Sequence, residues 1–408
     1  MRAFHETSVG ERTIEIARAV VDSVGRAPGR GVVHLVPSVG WGGAERLACT
    51  LHRLAQERGW RSTFEAPAID TIEAGAWEDG AIERCASRAS APETDRARSS
   101  VLRAWAYETR ARVAALAPSV VHAHLAFPDR FGAALVASAG RPMIATFQLL
   151  PQRDRHFSRD EVFGFRSDTL LERVGHFLSR VTFVAPSEED VGRLRVILPR
   201  SAKVVRVANC PPLARVRERA PSGEFCWPEG RTRVLSVGRL VEQKGFDRLI
   251  DALASGAVRE RAWHLLIAGD GPEHARLQER ARARGLEARV TIDRERRAAA
   301  LYGGADLVVC PSRSEGYPLV PMEAIEAGRA VVASSIGAHR ELFSTCDSAL
   351  LPEDEGAWPE VLATLLESEH ARRALFEREQ RALPKDPRAE TSSAYERLYR
   401  EAAHGDRW

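Results

Sequence analysis

Short apolar runs of three to six residues recur along the chain and alternate with longer segments whose apolar residues keep helical spacing. Runs of this kind, rich in valine, leucine and isoleucine, are typical of strands buried on both faces of a parallel sheet. The alternation therefore predicts an α/β protein built from strand–turn–helix units. The predicted strands are 32–36, 62–66, 120–124, 143–147, 181–185, 203–207, 234–237, 263–268, 290–292, 307–309 and 330–333.

The length of 408 residues exceeds what one hydrophobic core normally serves, so we predict two domains. Residues 213–230 are polar and contain proline and glycine, which is typical of a linker. We therefore expect an N-terminal extension over 1–30, a first domain over 31–212, a second domain over 231–385 and a last helical segment over 386–408.

Charge and composition exclude several classes of function. A net charge of +3 is too small to indicate a nucleic-acid partner. No apolar run approaches the length that spans a membrane, and the first thirty residues carry charges where a signal peptide needs an apolar centre. The six cysteines are scattered, with no pair or histidine spacing typical of zinc. We therefore expect a cytoplasmic protein without a metal or another cofactor.

The segment 306–328 combines an apolar strand, a turn and a helix, and it contains two carboxylates eight residues apart. We expect the helix to begin near Leu319, so that Glu315 precedes it and Glu323 lies about one turn inside it. The free N–H groups at a helix start attract phosphate, and Gly316 lets the backbone approach a ligand closely. Such a site suits a sugar joined to a nucleotide through a diphosphate, although solvated surface acids would give the same pattern.

Two further turns follow predicted strands in the second half. Arg239 and Lys244 lie on the turn after strand 234–237, where a guanidinium and an ammonium group can neutralise a diphosphate. Only three of the 59 basic residues are lysine, which makes Lys244 informative. The turn at Gly269 and Gly271 departs from the dinucleotide-binding fingerprint, because the third glycine is missing.

The first half offers weaker signals. Gly42 and Gly43 form a turn between a strand and a helix, at the corner where doubly wound sheets bind ligands. His122 and His124 alternate on a strand, and we expect them to point to opposite faces, so that at most one meets a given ligand. A strand-end histidine can equally be structural. Gln148 follows the next strand as a neutral amide.

Taken together, these motifs resemble the retaining glycosyltransferases of family four, which have the GT-B fold of two Rossmann-like domains facing a cleft. The match is carried by the Glu-x7-Glu signature of Glu315 and Glu323, by the Gly-Arg-Leu and Lys-Gly elements at 238–245, and by Gly-Gly-Ala-Glu at 42–45. The resemblance implies catalytic roles for Glu315, Lys244, Arg239 and His124. It implies donor binding by Gly238, Arg239, Lys244, Gly269, Gly271, Pro272, Glu315, Gly316, Tyr317, Leu319, Val320 and Glu323. It places Gly42, Gly43, His124 and Gln148 on the acceptor or diphosphate side.

The resemblance also implies an acceptor-binding first domain, a nucleotide-sugar-binding second domain and a last helix that returns to the first. The expected reaction moves a sugar from a nucleotide-sugar donor to a sugar or lipid-linked acceptor. Alternatives are a nucleotide-sugar epimerase or phosphorylase on the same fold, or a non-catalytic scaffold. The basic amphipathic segment 149–180 could contact the inner face of a membrane peripherally, although helices packed on the sheet with a solvated face would show the same pattern.

Overall fold

The structure is a computed structural model, and it describes residues 30–36, 43–66, 95–125, 131–148, 150, 180–212, 225–294 and 301–404. The predicted extension before residue 30, Gly42, the first part of the linker and most of the basic segment 149–180 lie outside the described residues. Within the described part, no helix combines the length and the hydropathy needed to cross a membrane.

The first half forms a six-stranded sheet in which every pairing is parallel. Its strand order is β2-β1-β3-β4-β5-β6, so the chain moves outward from β1 in both directions. The strands are β1 (Gly31–Leu35), β2 (Arg61–Glu65), β3 (Val120–Leu125), β4 (Met143–Phe147), β5 (Val181–Ala185) and β6 (Lys203–Arg206).

The second half forms a separate parallel sheet of five strands in the order β11-β10-β7-β8-β9. Its strands are β7 (Thr232–Val237), β8 (Trp263–Ala268), β9 (Val290–Asp293), β10 (Leu307–Cys310) and β11 (Ala330–Ala333). All eleven predicted strands are present with ends within two residues of the expected ones, which confirms the α/β class.

Helices cover both sheets, because parallel strands must be joined by crossovers. In the first half they are α1 (Gly43–Glu57), α2 (Asp95–Leu116), α3 (Phe131–Ala137) and α4 (Glu188–Ile197). In the second half they are α5 (Phe246–Leu253), α6 (Gly256–Arg259), α7 (His274–Ala283), α8 (Leu319–Glu326), α9 (Gly337–Leu342), α10 (Trp358–Glu367), α11 (Glu369–Ala382) and α12 (Pro387–His404).

The last helix, α12, packs against the first sheet although it follows the second in sequence. Its residues Tyr395, Leu398 and Tyr399 are buried in one apolar cluster with Leu51 of α1 and Ile144 of β4. The Tyr395 hydroxyl lies 3.0 Å from Thr146 Oγ1 on β4. The two halves of the chain are therefore joined by this helix as well as by the segment between β6 and β7.

Candidate active site

Three loops converge at the carboxyl edge of the second sheet, after β7, β8 and β10. They approach so closely that only glycine fits at the contacts between them. A Cβ on Gly269 would lie 1.9 Å from the carbonyl oxygen of Gly238. Gly245 has a φ of +65°, and a Cβ there would lie 2.0 Å from the carbonyl oxygen of Pro311. These contacts bring side chains that are distant in sequence to one edge of the sheet.

Lys244 and Glu315 form an ion pair in this edge. Lys244 ends a 3₁₀ turn over Glu242–Lys244, and its Nζ donates to Glu315 Oε1 at 2.6 Å. Ser312 Oγ donates to the same oxygen, also at 2.6 Å. Burial alone would raise the pKa of Glu315, but the ammonium group of Lys244 and these hydrogen bonds hold that pKa below its ordinary value. Glu315 is therefore ionised near neutral pH.

Helix α8 begins directly after this pair. Pro318 is its N-cap residue, and no side chain caps the helix. Pro321 in the first turn has no N–H, so the N–H groups of Leu319 and Val320 remain for a ligand. The buried Gly316 precedes them, and the structure thus presents an uncapped helix start beside Lys244.

Glu323 lies inside α8 and is 9% exposed. Its Oε2 accepts a hydrogen bond from the Tyr302 hydroxyl at 2.9 Å, and its Oε1 lies 2.8 Å from Arg46 Nη1 of helix α1. Sequence reasoning missed both partners. The position of Arg46 directly after the Gly-Gly-Ala-Glu motif could have indicated that it lies near the site. Nothing in the sequence indicated Tyr302.

The Arg46 contact places this candidate site where the two halves of the chain meet. A Cβ on Gly43 would lie 3.1 Å from Leu319 Cδ1, so the glycine turn of the first half faces the start of α8. A second ion pair also joins the two halves of the chain, because Arg206 Nε lies 2.5 Å from Glu341 Oε1. The predicted residues Gly43 and Leu319 are thus brought together by the approach of the two halves.

Other predicted residues lie around this centre without the same contacts. Arg239 and Pro272 are exposed, whereas Tyr317 is partly buried and packs against the core of the second sheet. Gln148 directly follows β4, and its Oε1 accepts a hydrogen bond from Asn209 Nδ2 at 2.9 Å. The amide of Gln148 is thereby held by the segment that leaves the first sheet.

The expectation for His122 and His124 was wrong. Their rings lie on the same face of β3 with centroids 3.9 Å apart. Side chains on a strand alternate, so residues two apart share a face, and the expectation misapplied this period. His124 is 1% exposed, and its Nε2 lies 2.9 Å from Nδ1 of His34. His124 therefore belongs to a group of buried histidines.

Two Rossmann-like sheets with a site between them define the GT-B class of two-domain α/β proteins. Residues 41–214 match the model of Glycosyltransferase Family 4, and residues 222–382 match that of Glycosyl transferases group 1. The chain belongs to this family of glycosyltransferases.

Characterised and uncharacterised relatives match parts of the chain. An uncharacterised glycosyltransferase of Haemophilus influenzae is 28% identical over 177 residues, which are 42% of this chain and 47% of that protein. A GDP-mannose-dependent alpha-(1-6)-phosphatidylinositol dimannoside mannosyltransferase of Mycobacterium tuberculosis is 32% identical over 152 residues, 37% of each chain. The chain thus spans less than half the length of these relatives.

Solved structures resemble the whole fold. A sucrose-phosphate synthase from Thermosynechococcus elongatus superposes with a TM-score of 0.66 at 17% identity, covering 91% of this chain and 99% of that one. The lipopolysaccharide glycosyltransferase WaaG gives a TM-score of 0.62 at 16% identity, covering 90% and 99%. At these identities the likeness establishes the GT-B fold alone.

Proposed function

We propose that this protein is a retaining glycosyltransferase that moves a sugar from a nucleotide-diphosphate sugar to an acceptor hydroxyl, in glycan, glycolipid or polysaccharide biosynthesis. The observation that carries the proposal is the placement of Lys244, Glu315 and Glu323 around the uncapped start of helix α8. This arrangement offers positive charge to a diphosphate and carboxylates to hydroxyl groups, which are the two parts of such a donor.

Each group has a proposed task. Lys244, Arg239 and the N–H groups of α8 stabilise the negative charge that develops on the departing diphosphate. Glu323 accepts hydrogen bonds from the ribose hydroxyls, and Glu315 contacts the sugar. These residues supply the charge stabilisation, so the proposed reaction needs no metal ion bound to the diphosphate.

In the proposed step the acceptor attacks from the same face as the leaving group. The bond between the anomeric carbon and the phosphate oxygen breaks, and the nucleoside diphosphate leaves with the electron pair. The acceptor oxygen bonds to the anomeric carbon, and its proton passes to the departing phosphate. This route retains the anomeric configuration without a covalent enzyme intermediate, for which no carboxylate is assigned.

The substrate class is supported by what relatives and fold neighbours are named for. The mycobacterial relative uses GDP-mannose, another relative is a lipopolysaccharide core mannosyltransferase of Rhizobium meliloti, and a pneumococcal O-GlcNAc transferase of the same fold was solved with UDP and GlcNAc. We propose a nucleotide sugar as donor and a sugar or lipid-linked acceptor. The base and the sugar are to be identified by a thermal-shift screen of UDP, GDP and ADP sugars, since a bound ligand stabilises the folded protein.

The decisive experiment separates the two glutamates. Glu323→Ala should weaken calorimetric binding of the free nucleoside diphosphate by about 1.5–3 kcal/mol, because the ribose contact exists before and during the reaction. Glu315→Ala should leave that affinity nearly unchanged while lowering turnover of the donor. Glu326→Ala is a matched control, because Glu326 lies on the same helix and pairs with Arg388.

The outcomes discriminate clearly. Equal loss of nucleotide affinity in both glutamate variants would show that the carboxylates do not divide the donor as proposed. Binding and turnover unchanged in both would leave the two carboxylates with a purely structural role in their ion pairs and would refute the site. Isomerisation of the donor without an acceptor would select an epimerase instead.

A further inference from the structure

Three buried histidines share one face of the first sheet, apart from the residues of the donor site. His34 of β1 is paired in register with His122 of β3, and His124 follows two residues later on the same face. The ring centroid of His34 lies 5.3 Å from that of His122 and 5.2 Å from that of His124. All three imidazoles are 0–1% exposed under helix α12.

The ring nitrogens of this triad are only partly satisfied. His34 Nδ1 lies 2.9 Å from His124 Nε2, so these two nitrogens share one proton. Among the residues that the structure describes, His34 Nε2 and His124 Nδ1 have no hydrogen-bond partner. Buried polar atoms without partners are rare in native proteins, and each needs an explanation such as a bound ion.

The geometry of the triad suits a metal ion. One nitrogen from each of the three rings can be chosen so that all three lie within 4.8 Å of one another. Two histidines at i and i+2 on one strand, with a third on the neighbouring strand, direct their rings to a common point above the sheet. Three histidines with an open fourth position are an established ligand set for zinc.

The protonation state also suits a metal ion. A neutral imidazole is the form that binds metals, and the full burial of these three rings favours that form over the charged one. Among the described residues, the group that could hold an ion contains these three histidines and no carboxylate.

The surroundings provide the outer contacts that metal-bound histidines commonly have. His122 Nδ1 lies 2.7 Å from the hydroxyl of Tyr399 on α12, and its Nε2 lies 2.8 Å from Thr146 Oγ1. If Nδ1–H donates to Tyr399, Nε2 can exchange the threonine hydroxyl for an ion. The last helix would then be tied to the site through Tyr399.

We propose that His34, His122 and His124 form a three-histidine binding site, with an open fourth position, for a divalent transition-metal ion of the zinc type, linking β1 and β3 to helix α12. The site shares no residue with the Lys244–Glu315 pair. The proposal is independent of the transferase activity, and its test does not use turnover.

The test uses the full-length chain, refolded with and without Zn²⁺ after treatment with a chelator. We expect one zinc per chain by elemental analysis, a thermal unfolding temperature that rises with zinc concentration, and a visible absorption spectrum of tetrahedral Co²⁺ when cobalt replaces zinc. His34→Gln and His124→Gln should lose the bound metal and the cobalt spectrum. His264→Gln is the matched control, because its ring pairs with Thr291 in the second sheet and should retain the metal.

Tyr399→Phe keeps all three proposed ligands and removes one outer hydrogen bond. We expect it to bind zinc about 10- to 100-fold more weakly than the wild type while it still gives the cobalt spectrum. This variant remains informative if the histidine variants do not fold, which circular dichroism would show. Wild-type protein that takes up no stoichiometric zinc after refolding, or metal retained equally by both histidine variants, would overturn the proposal.

Discussion

Replacing Lys244 by alanine should have two effects that can be separated. The ammonium group is lost from the proposed diphosphate site, and Glu315 is left as a poorly hydrated carboxylate. Lys244 and Glu315 are 19% and 14% exposed and 2.6 Å apart. Removing one partner of a fully buried pair costs about 3–5 kcal/mol. Because both groups keep some contact with water and Ser312 still donates to Glu315, we expect about 2 kcal/mol here.

Adding Glu315→Gln to Lys244→Ala measures the cost of a carboxylate charge that has lost its partner. Lys244→Ala/Glu315→Gln should recover about 1 kcal/mol or more of unfolding free energy relative to Lys244→Ala, because the amide is neutral and can still accept from Ser312. Turnover should not recover, since the loss of a charged group facing the leaving diphosphate costs about 100-fold or more. Stability and activity then respond differently to the same pair of changes.

The assays are denaturant unfolding and donor turnover for the four members of the cycle. The depressed pKa of Glu315 means that its stabilising contribution is present above the unfolded value of 4.5 and is lost as pH falls through the folded value. The wild type and Lys244→Ala should therefore converge in stability under acidic conditions. Lys203→Ala is the matched control, because Lys203 pairs at 2.8 Å with Glu401 at the surface and should cost no more than about 1 kcal/mol.

Two results would refute this reasoning. A double variant no more stable than Lys244→Ala would show that the unpaired charge of Glu315 does not destabilise the folded protein. Turnover of Lys244→Ala within about threefold of the wild type would show that the ammonium does not stabilise the leaving group. Lys244→Arg should also be impaired, because a planar guanidinium does not fit the position of a compact ammonium.

Three further predictions concern single positions. Burial raises the pKa of Glu379 to about 8, so the wild type should lose stability as pH rises from about 5 to 8, and Glu379→Gln should abolish most of this loss in denaturant titrations; equal pH profiles would contradict it. Gly269→Ala should unfold several degrees lower in a thermal scan, because its Cβ would clash with the carbonyl of Gly238; an unchanged transition would show that the loops can separate freely. Arg46→Ala should lower the unfolding free energy by about 1–2 kcal/mol, because Glu323 is 9% exposed and loses its cation, whereas an unchanged value would mean that the pair is fully screened.

Most of the strands were predictable because each is a short apolar run with turn residues at its ends. Strands β4, β5, β8 and β11 have the bounds that the apolar pattern gives. The start of helix α2 at Asp95 was not predictable from the apolar pattern. Its first turn is polar and charged, so apolar periodicity carries no signal there.

The histidine triad could not be found from spacing along the chain. His34 and His122 are far apart in sequence and become neighbours only because β1 and β3 pair in parallel. A search for zinc motifs examines local spacing, and it misses ligands that a sheet brings together. Correct use of the two-residue period would at least have placed His122 and His124 on one face.

The donor site was predictable in part for a similar reason. Lys244 and Glu315 follow strands β7 and β10, which are neighbours in the sheet, so their loops meet at one edge. Arg46 reaches Glu323 from the other half of the chain. That contact depends on how the two halves approach each other, which no local pattern encodes.

The use of lysine at the site follows from how arginine is used around it. Arg248 donates from Nη2 to the carbonyl oxygens of Pro311 and Ser312, and so fixes the loop that leads to Glu315. A planar guanidinium with several fixed donors is suited to holding two backbone groups at once. Lys244 carries a single mobile charge on a flexible stem, and it can move from Glu315 toward a ligand without releasing the backbone. This difference between arginine and lysine explains why a chain with only three lysines has one of them at the position that faces the proposed diphosphate.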